Sequence, residues 1–128
     1  MPDKTTFDVT FKTLRGILKP HAKRLLVQAD TPALYTLALR DVNDRVGRPM
    51  FFGCVRKGKA YVSYHLMGFY GNPGLVKKLS PGLRKRMQGK TCFNFTTIDP
   101  DHVKELTAVT KRSVARFNKK TLEKILPW

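Results

Sequence analysis

Residues 50–66, MFFGCVRKGKAYVSYHL, contain two β-prone runs separated by Lys57-Gly58. Positions 50–55 have the apolar character of a central strand, and positions 61–66 are its expected antiparallel partner. The short separation predicts a tight hairpin in which Gly58 supplies a positive φ. This hairpin defines the middle of an antiparallel sheet, and the other elements are predicted outward from it.

On the N-terminal side, a helix precedes two further strands. Apolar residues at helical spacing form one stripe, which consists of Phe7, Phe11, Leu14 and Leu18. The helix should end just before Pro20, because proline disfavours the helical conformation of the preceding residue. Two β-prone runs, 25–29 and 33–39, follow on either side of the turn-forming cluster Asp30-Thr31-Pro32. The polar stretch 41–48 is predicted to be a loop.

On the C-terminal side, Ser80-Pro81 predicts a short helix that runs to about Met87, because serine is a good N-cap and proline suits the first helical position. A last strand is expected at 91–96, with its two phenylalanines on the buried face. Asp99-Pro100-Asp101 opens a long C-terminal helix by the same logic. Its expected buried stripe consists of Val103, Leu106, Thr110, Val114 and Phe117.

This order of elements predicts an α+β fold, a two-layer sandwich in which an antiparallel sheet of about five strands is flanked by N-terminal and C-terminal helices. With 128 residues, of which 41% are apolar, residues 1–128 are predicted to form a single domain. The sequence has neither a secretory signal nor an apolar run of about 20 residues. Cys54 and Cys92 form no CxxC motif. We therefore expect a soluble cytoplasmic protein with reduced thiols and no membrane association.

The charge is unevenly distributed along the chain. The 25 Lys and Arg residues and 9 Asp and Glu residues give a formal net charge of +16. Residues 1–55 contain 9 basic and 5 acidic side chains, whereas residues 56–128 contain 16 and 4. The second part includes six basic residues within 14 positions and no acid between them: Lys77, Lys78, Arg84, Lys85, Arg86 and Lys90.

Such a basic cluster can neutralise phosphates and release their counterions. The sequence therefore predicts a binding or accessory domain for an anionic partner, with nucleic acid as the candidate. The helix start at Ser80 is expected to contribute, because free N–H groups at a helix N-terminus attract anions. The alternative is a solvated surface on a protein that is simply basic.

A small-ligand pocket beside the hairpin is a second hypothesis. Alternation along positions 61–67 places polar tips on an otherwise apolar sheet face. The candidate pocket residues are Tyr61, Tyr64, His65, Met67, Cys92 and Asn94. In the alternative interpretation, the tyrosine hydroxyls and the imidazole bond to backbone groups or reach the rim of the sheet.

Known catalytic motifs are not found in the sequence. It contains no P-loop, no GxGxxG and no HExxH pattern. Cys92 and His65 could be a nucleophile and its base, but no third group that would orient them is identifiable. We therefore expect a non-enzymatic domain without a cofactor.

Three segments of the chain share a pattern with a known family. They are Asp30-Thr31-Pro32 with Tyr35 and Leu37, PMFFG at 49–53 continued by YVSYHLM at 61–67, and LSP at 79–81 continued by KRMQGKTCFNF at 85–95. Over residues 30–117 the chain resembles the YdhG-like family of small bacterial domains, and 86–95 is the most specific part. The resemblance implies a fold similar to that of YjbR-like and frataxin-like proteins, a helix-flanked antiparallel sheet.

The resemblance also makes a frataxin-like iron chaperone an alternative function. Iron binding of that kind requires a surface patch of oxygen ligands, chiefly carboxylates. The 9 acidic residues of this chain are scattered. The closest group is Asp99, Asp101 and Glu105 beside His102, which helix capping and the helix dipole explain. No metal site is therefore predicted.

Overall fold

Antiparallel pairing builds a sheet of six strands in the described part of the chain. The computed structural model describes residues 4–43, 47–67, 77–88 and 92–116. The strands are β1 (Leu26–Thr31), β2 (Leu34–Asn43), β3 (Pro49–Lys57), β4 (Val62–Leu66), β5 (Met87–Gln88) and β6 (Cys92–Phe95). They lie in the order β1-β2-β3-β4-β6-β5, so β1 and β5 are the edges. The predicted hairpin is β3–β4, at the centre of the sheet.

Two long helices pack against one face of the sheet. The helices are α1 (Lys4–Leu18), α2 (Pro81–Arg84) and α3 (Pro100–Arg116). A 3-10 helix, Lys19–Arg24, follows α1 and includes Pro20, which has no N–H to continue the α-helical hydrogen bonds. α1 contacts β3, β4 and α3. The predicted α+β fold with N-terminal and C-terminal helices is confirmed.

Within the described ranges, no helix combines the length and the apolar character needed to cross a membrane.

The hydrophobic core lies between the sheet and the long helices. Strand pairing brings four core side chains into one lateral row, which consists of Tyr35, Val55, Tyr64 and Phe93. All four are at most 2% exposed, and complete burial of such a side chain contributes about 1.5–3 kcal/mol. The Tyr64 hydroxyl lies 2.6 Å from the Thr110 hydroxyl of α3, so the polar tip of this buried tyrosine has a partner.

Gly53 allows β3 to approach the neighbouring strand β4 closely. A Cβ at this position would lie 2.9 Å from the His65 carbonyl oxygen and 3.1 Å from Leu66 Cδ2. The same Cβ would lie 3.5 Å from Leu18 Cδ2 of α1. A larger residue at position 53 would therefore force β4 to move.

Two of the predicted turns are wrong in detail. The stretch 41–48 is partly strand, because β2 runs to Asn43 and pairs with Pro49. The turn between β3 and β4 spans residues 58–61, and the Gly58 N–H donates to the Tyr61 carbonyl oxygen at 2.8 Å. Gly58 does not have the predicted positive φ. Among the described glycines this conformation belongs to Gly47, with φ of 83°.

The short helix after Ser80 is also shorter than predicted. α2 ends at Arg84, and Met87 and Gln88 then form the edge strand β5. This strand was missed because two residues carry no alternation signal, and it raises the number of strands from about five to six. Along α3 the predicted stripe is confirmed at the buried Leu106 and Thr110. Its last predicted member, residue 117, lies outside the described residues.

Candidate anion-binding surface

The sheet face opposite the helices carries two lateral rows of polar side chains, which together we call the polar face. The first row consists of Thr36, Cys54, His65, Cys92 and Gln88. The second row consists of Arg56, Ser63, Asn94 and Arg86. Residues directly opposite each other in an antiparallel pair point to the same face, so the strand register makes these side chains neighbours. Neither row contains an acidic residue.

Hydrogen bonds order the second row. Ser63 Oγ donates to Asn94 Oδ1 at 2.7 Å, and Asn94 Nδ2 donates to Gln88 Oε1 at 3.4 Å. The Asn94 backbone N–H donates to the Arg86 carbonyl oxygen at 2.8 Å. Arg56 and Arg86 are both exposed, and three strand spacings separate their backbones by roughly 14 Å. Two guanidinium groups thus flank an ordered hydroxyl–amide pair.

Within the basic segment, residues 77–90, Arg86 and the edge strand β5 border the polar face. The described basic side chains of this segment are all exposed: Lys77, Lys78, Arg84, Lys85 and Arg86. Lys90, the sixth predicted residue, lies outside the described residues. Because Arg86 directly precedes β5 and pairs through its backbone with β6, the structure brings the basic segment next to the strand that carries Cys92 and Asn94.

Ser80 is engaged within the protein. Its hydroxyl accepts a hydrogen bond from the Leu83 N–H at 3.2 Å, which caps α2 as predicted. Its own N–H and hydroxyl donate to the two carboxylate oxygens of Glu105 in α3, at 2.6 and 2.7 Å. The Glu105 carboxylate thus occupies the place that the sequence assigned to an external anion. Ser80 positions the basic segment by joining α2 to α3, and its assignment as an anion ligand is corrected.

The first row contains two thiols and an imidazole without the features of a catalytic pair. Burial raises the pKa of Cys54 to about 11 and also raises the pKa of Cys92. Burial, with a further effect of the Arg56 charge, lowers the pKa of His65. The thiols are therefore protonated at neutral pH, which disfavours nucleophilic attack. Since β4 separates the two cysteine strands, their backbones are roughly 10 Å apart, too far for a disulfide.

The predicted hairpin pocket is only partly assembled. Three of its residues share the polar face: His65, Cys92 and Asn94. Tyr64 is a wrong assignment, because it is fully buried on the helix side of the sheet. β4 ends at Leu66, and Met67 packs against the core instead of continuing the strand alternation. Tyr61 lies in the hairpin turn and is 49% exposed.

Five members of the polar face were not among the candidate site residues of the sequence analysis: Thr36, Cys54, Arg56, Ser63 and Gln88. Cys54 and Arg56 alternate with the buried Val55, and this alternation could have placed them on the outer face. Their neighbours in the rows depend on the register between strands, which the sequence pattern does not specify. Gln88 lay just past the predicted end of a helix at about Met87.

Two cavities border α1, and both form between elements that are distant in the chain. One has a volume of about 430 Å³, and its wall contains the ion pairs Arg15–Asp30 and Lys57–Asp8. The other has a volume of about 500 Å³ and lies between α1 and α3. Neither coincides with the predicted hairpin pocket.

Comparison of the chain with protein-family models, with curated proteins and with solved structures gives no match. The resemblance to the YdhG-like family therefore stays a prediction. Inference about function rests on the polar face, the basic segment and the two cavities.

Proposed function

We propose that this protein is a non-enzymatic cytoplasmic domain that binds nucleic acid through the basic segment and the adjoining polar face. The observation that carries the proposal is that a segment with five exposed basic side chains leads into the edge strand of a face that presents Arg56 and Arg86 in one row. The formal net charge of +16 adds a long-range attraction for polyanions.

The chemistry of the second row favours phosphate as its target. A guanidinium group offers a planar fork of N–H donors that matches two phosphate oxygens, which a lysine ammonium cannot do. Arg56 and Arg86, roughly 14 Å apart at the backbone, can reach separate phosphates of one strand. Each phosphate that a basic side chain neutralises releases condensed counterions, so the predicted binding weakens as salt rises.

Neutral groups on this surface support a nucleic acid rather than an acidic protein. Tyr61 is 49% exposed in the β3–β4 turn and offers a ring on which a base can stack. Ser63 and Asn94, already ordered by their mutual hydrogen bond, offer polar groups to base edges or sugars. A single strand, with its bases accessible, is the expected ligand.

The iron-chaperone alternative gains no support from the described carboxylates. Asp8 and Asp30 form ion pairs with basic side chains. Asp99 accepts a hydrogen bond at the start of α3, and Glu105 binds Ser80. In the part of the chain that the structure describes, no three His, Cys, Asp or Glu side chains are placed to hold a metal ion. Calorimetric titration with ferrous iron tests this alternative directly.

Fluorescence anisotropy of labelled single-stranded oligonucleotides, measured over a range of salt concentrations, tests the nucleic-acid proposal. The test variant removes three charges of the basic segment: Arg84→Ala, Lys85→Ala and Arg86→Ala. The matched control removes three exposed charges from the 3-10 helix that contacts β1, at the opposite edge of the sheet: Lys19→Ala, Lys23→Ala and Arg24→Ala. Both variants have the same net charge.

The test variant is expected to bind at least about tenfold more weakly than the control variant at low salt. Since each single-strand phosphate contact contributes roughly 0.7 to the slope of log K against log salt, the slope should fall by about 2. Equal losses in the two variants would show that only total charge matters, and this result would contradict the proposal. Equal competition by polyglutamate of matched charge would likewise contradict a preference for nucleic acid.

A further inference from the structure

The cavity between α1 and α3, which we call the helix groove, combines an apolar floor with a basic rim. Its volume of about 500 Å³ lies within the range of small-molecule sites, about 300–1,000 Å³. The apolar side chains that line it are Ile17, Pro20 and Val103. The basic and titratable side chains that line it are Lys12, His21 and Lys111. None of the described lining residues is acidic.

Gly16 contributes no side chain to the α1 side of the groove. It lines the groove near the end of α1, and a Cβ at this position would meet no atom within 4 Å. Glycine is a poor helix former, so its presence within α1 requires an explanation. At Gly53, in strand β3, a close backbone contact explains why the residue is glycine. No such contact exists at Gly16. Its effect on the structure is to leave space next to Ile17 and Val103.

The electrostatic environment of the groove is positive. Burial lowers the pKa of His21, and the charges of Arg24 and Lys111 lower it further. Lys12 of α1 and Lys111 of α3 line the same groove from its two helices. An anion in the groove would relieve the repulsion among these groups, whereas a cation would add to it.

We propose that the helix groove binds a small amphipathic carboxylate, a medium-chain acyl acid whose chain lies against Ile17 and Val103 and whose carboxylate lies between Lys12 and Lys111. The groove and the ligand match in charge and in polarity. The basic side chains of the rim attract the carboxylate, and the apolar side chains of the floor contact the acyl chain. This site lies on the helix side of the sheet. It is therefore separate from the nucleic-acid surface and does not depend on it.

Titration of the isotopically labelled full chain with sodium octanoate, followed by two-dimensional NMR, tests the site. Octan-1-ol, which has the same chain and no charge, is the matched ligand. We expect octanoate to shift the amide signals of Gly16 and Thr107 and to bind at least about threefold more tightly than octanol. Equal affinity of the two ligands, or shifts confined to other parts of the chain, would overturn the proposal.

Two pairs of variants locate the ligand. Lys111→Gln should weaken octanoate binding by about two- to fivefold and leave octanol binding unchanged. Lys104→Gln, an exposed position of α3 outside the groove, should change neither. Gly16→Phe should abolish the octanoate shifts by filling the groove, whereas Gly16→Ala, which also replaces glycine by a better helix former but adds little bulk, should retain most of the binding. Unchanged binding in a folded Gly16→Phe variant would refute the site.

Discussion

The hydroxyl pair of Tyr64 and Thr110 is a residue-scale link between the sheet and α3. Both side chains are fully buried, so removing one hydroxyl leaves the other without this partner. Tyr64→Phe should lower the free energy of unfolding by about 1–3 kcal/mol, because a buried polar group then loses its hydrogen bond. Tyr64→Phe combined with Thr110→Val should cost less than the sum of the single changes. Urea unfolding of the four proteins measures this, and strict additivity would show that the two hydroxyls do not interact.

Two glycines should respond in opposite directions to the same substitution. Gly16→Ala adds a methyl group into open space within a helix, and it should raise the free energy of unfolding by about 0.5–1 kcal/mol. Gly53→Ala places a Cβ 2.9 Å from a backbone oxygen, and it should lower this free energy by about 1–3 kcal/mol. Thermal and urea unfolding compare the variants. A gain in stability at Gly53 would mean that β4 yields easily.

His65 makes folding stability depend on pH. Its pKa in the folded protein lies below the ordinary value of 6.5, because burial and the Arg56 charge disfavour the imidazolium. At a pH between these two values, the unfolded chain binds more protons than the folded chain. The contribution of His65 to the free energy of unfolding is therefore present above pH 6.5, and it is lost as pH falls from 6.5 toward the pKa in the folded protein. His65→Gln should therefore show a smaller loss of Tm than the wild-type protein between about pH 7.5 and pH 5.5. An identical loss in both would exclude His65 as the source.

At the scale of elements, Glu105 determines where α2 and the basic segment lie. Its carboxylate accepts two hydrogen bonds from Ser80 at the start of α2. Glu105→Ala should lower the free energy of unfolding by about 1.5–3 kcal/mol and should accelerate amide exchange in residues 82–88. Glu105→Gln retains one acceptor oxygen and should fall between this variant and the wild type. Unchanged exchange in Glu105→Ala would show that α2 is held by the burial of Leu83 alone.

The elements predicted correctly are those with a local signal. Phe11 and Leu14 mark the buried stripe of α1, and Asp99-Pro100 marks the start of α3. The two-residue β5 escaped prediction, because it forms by pairing with β6, which no local pattern records. The extension of β2 through Asn43 has the same cause, since pairing with β3 overrides the polar composition there.

The candidate site was predictable to the extent that charge is visible in the sequence. The basic cluster could be read directly, and the structure shows its described side chains to be exposed. The place of Arg56 in the same row as Asn94 depends on strand register, and the contact of Ser80 with Glu105 joins residues 25 positions apart. The helix groove was not predictable, because its walls come from two helices at opposite ends of the described chain.

At the scale of the whole molecule, the sheet separates the two proposed sites. The polar face lies on one side, and the helix groove lies on the side covered by α1 and α3. We expect the two ligands to bind independently. Saturating octanoate should therefore change the oligonucleotide affinity by less than about twofold. This change is well below the coupling free energy of about 1–3 kcal/mol that is usual between linked sites. Anisotropy titrations with and without octanoate measure the coupling. Competitive displacement would place both ligands on one surface.

The two edges of the sheet also bear on how copies of the protein behave at high concentration. β1 has an irregular register between Val27 and Ala29, and β5 is only two residues long and follows three consecutive positive charges. Short, distorted or charged edges are poor templates for the addition of a foreign strand. The described edges of the sheet therefore disfavour pairing with a second copy of the chain, and a partner that neutralises Arg84–Arg86 leaves the irregular register of β1 in place.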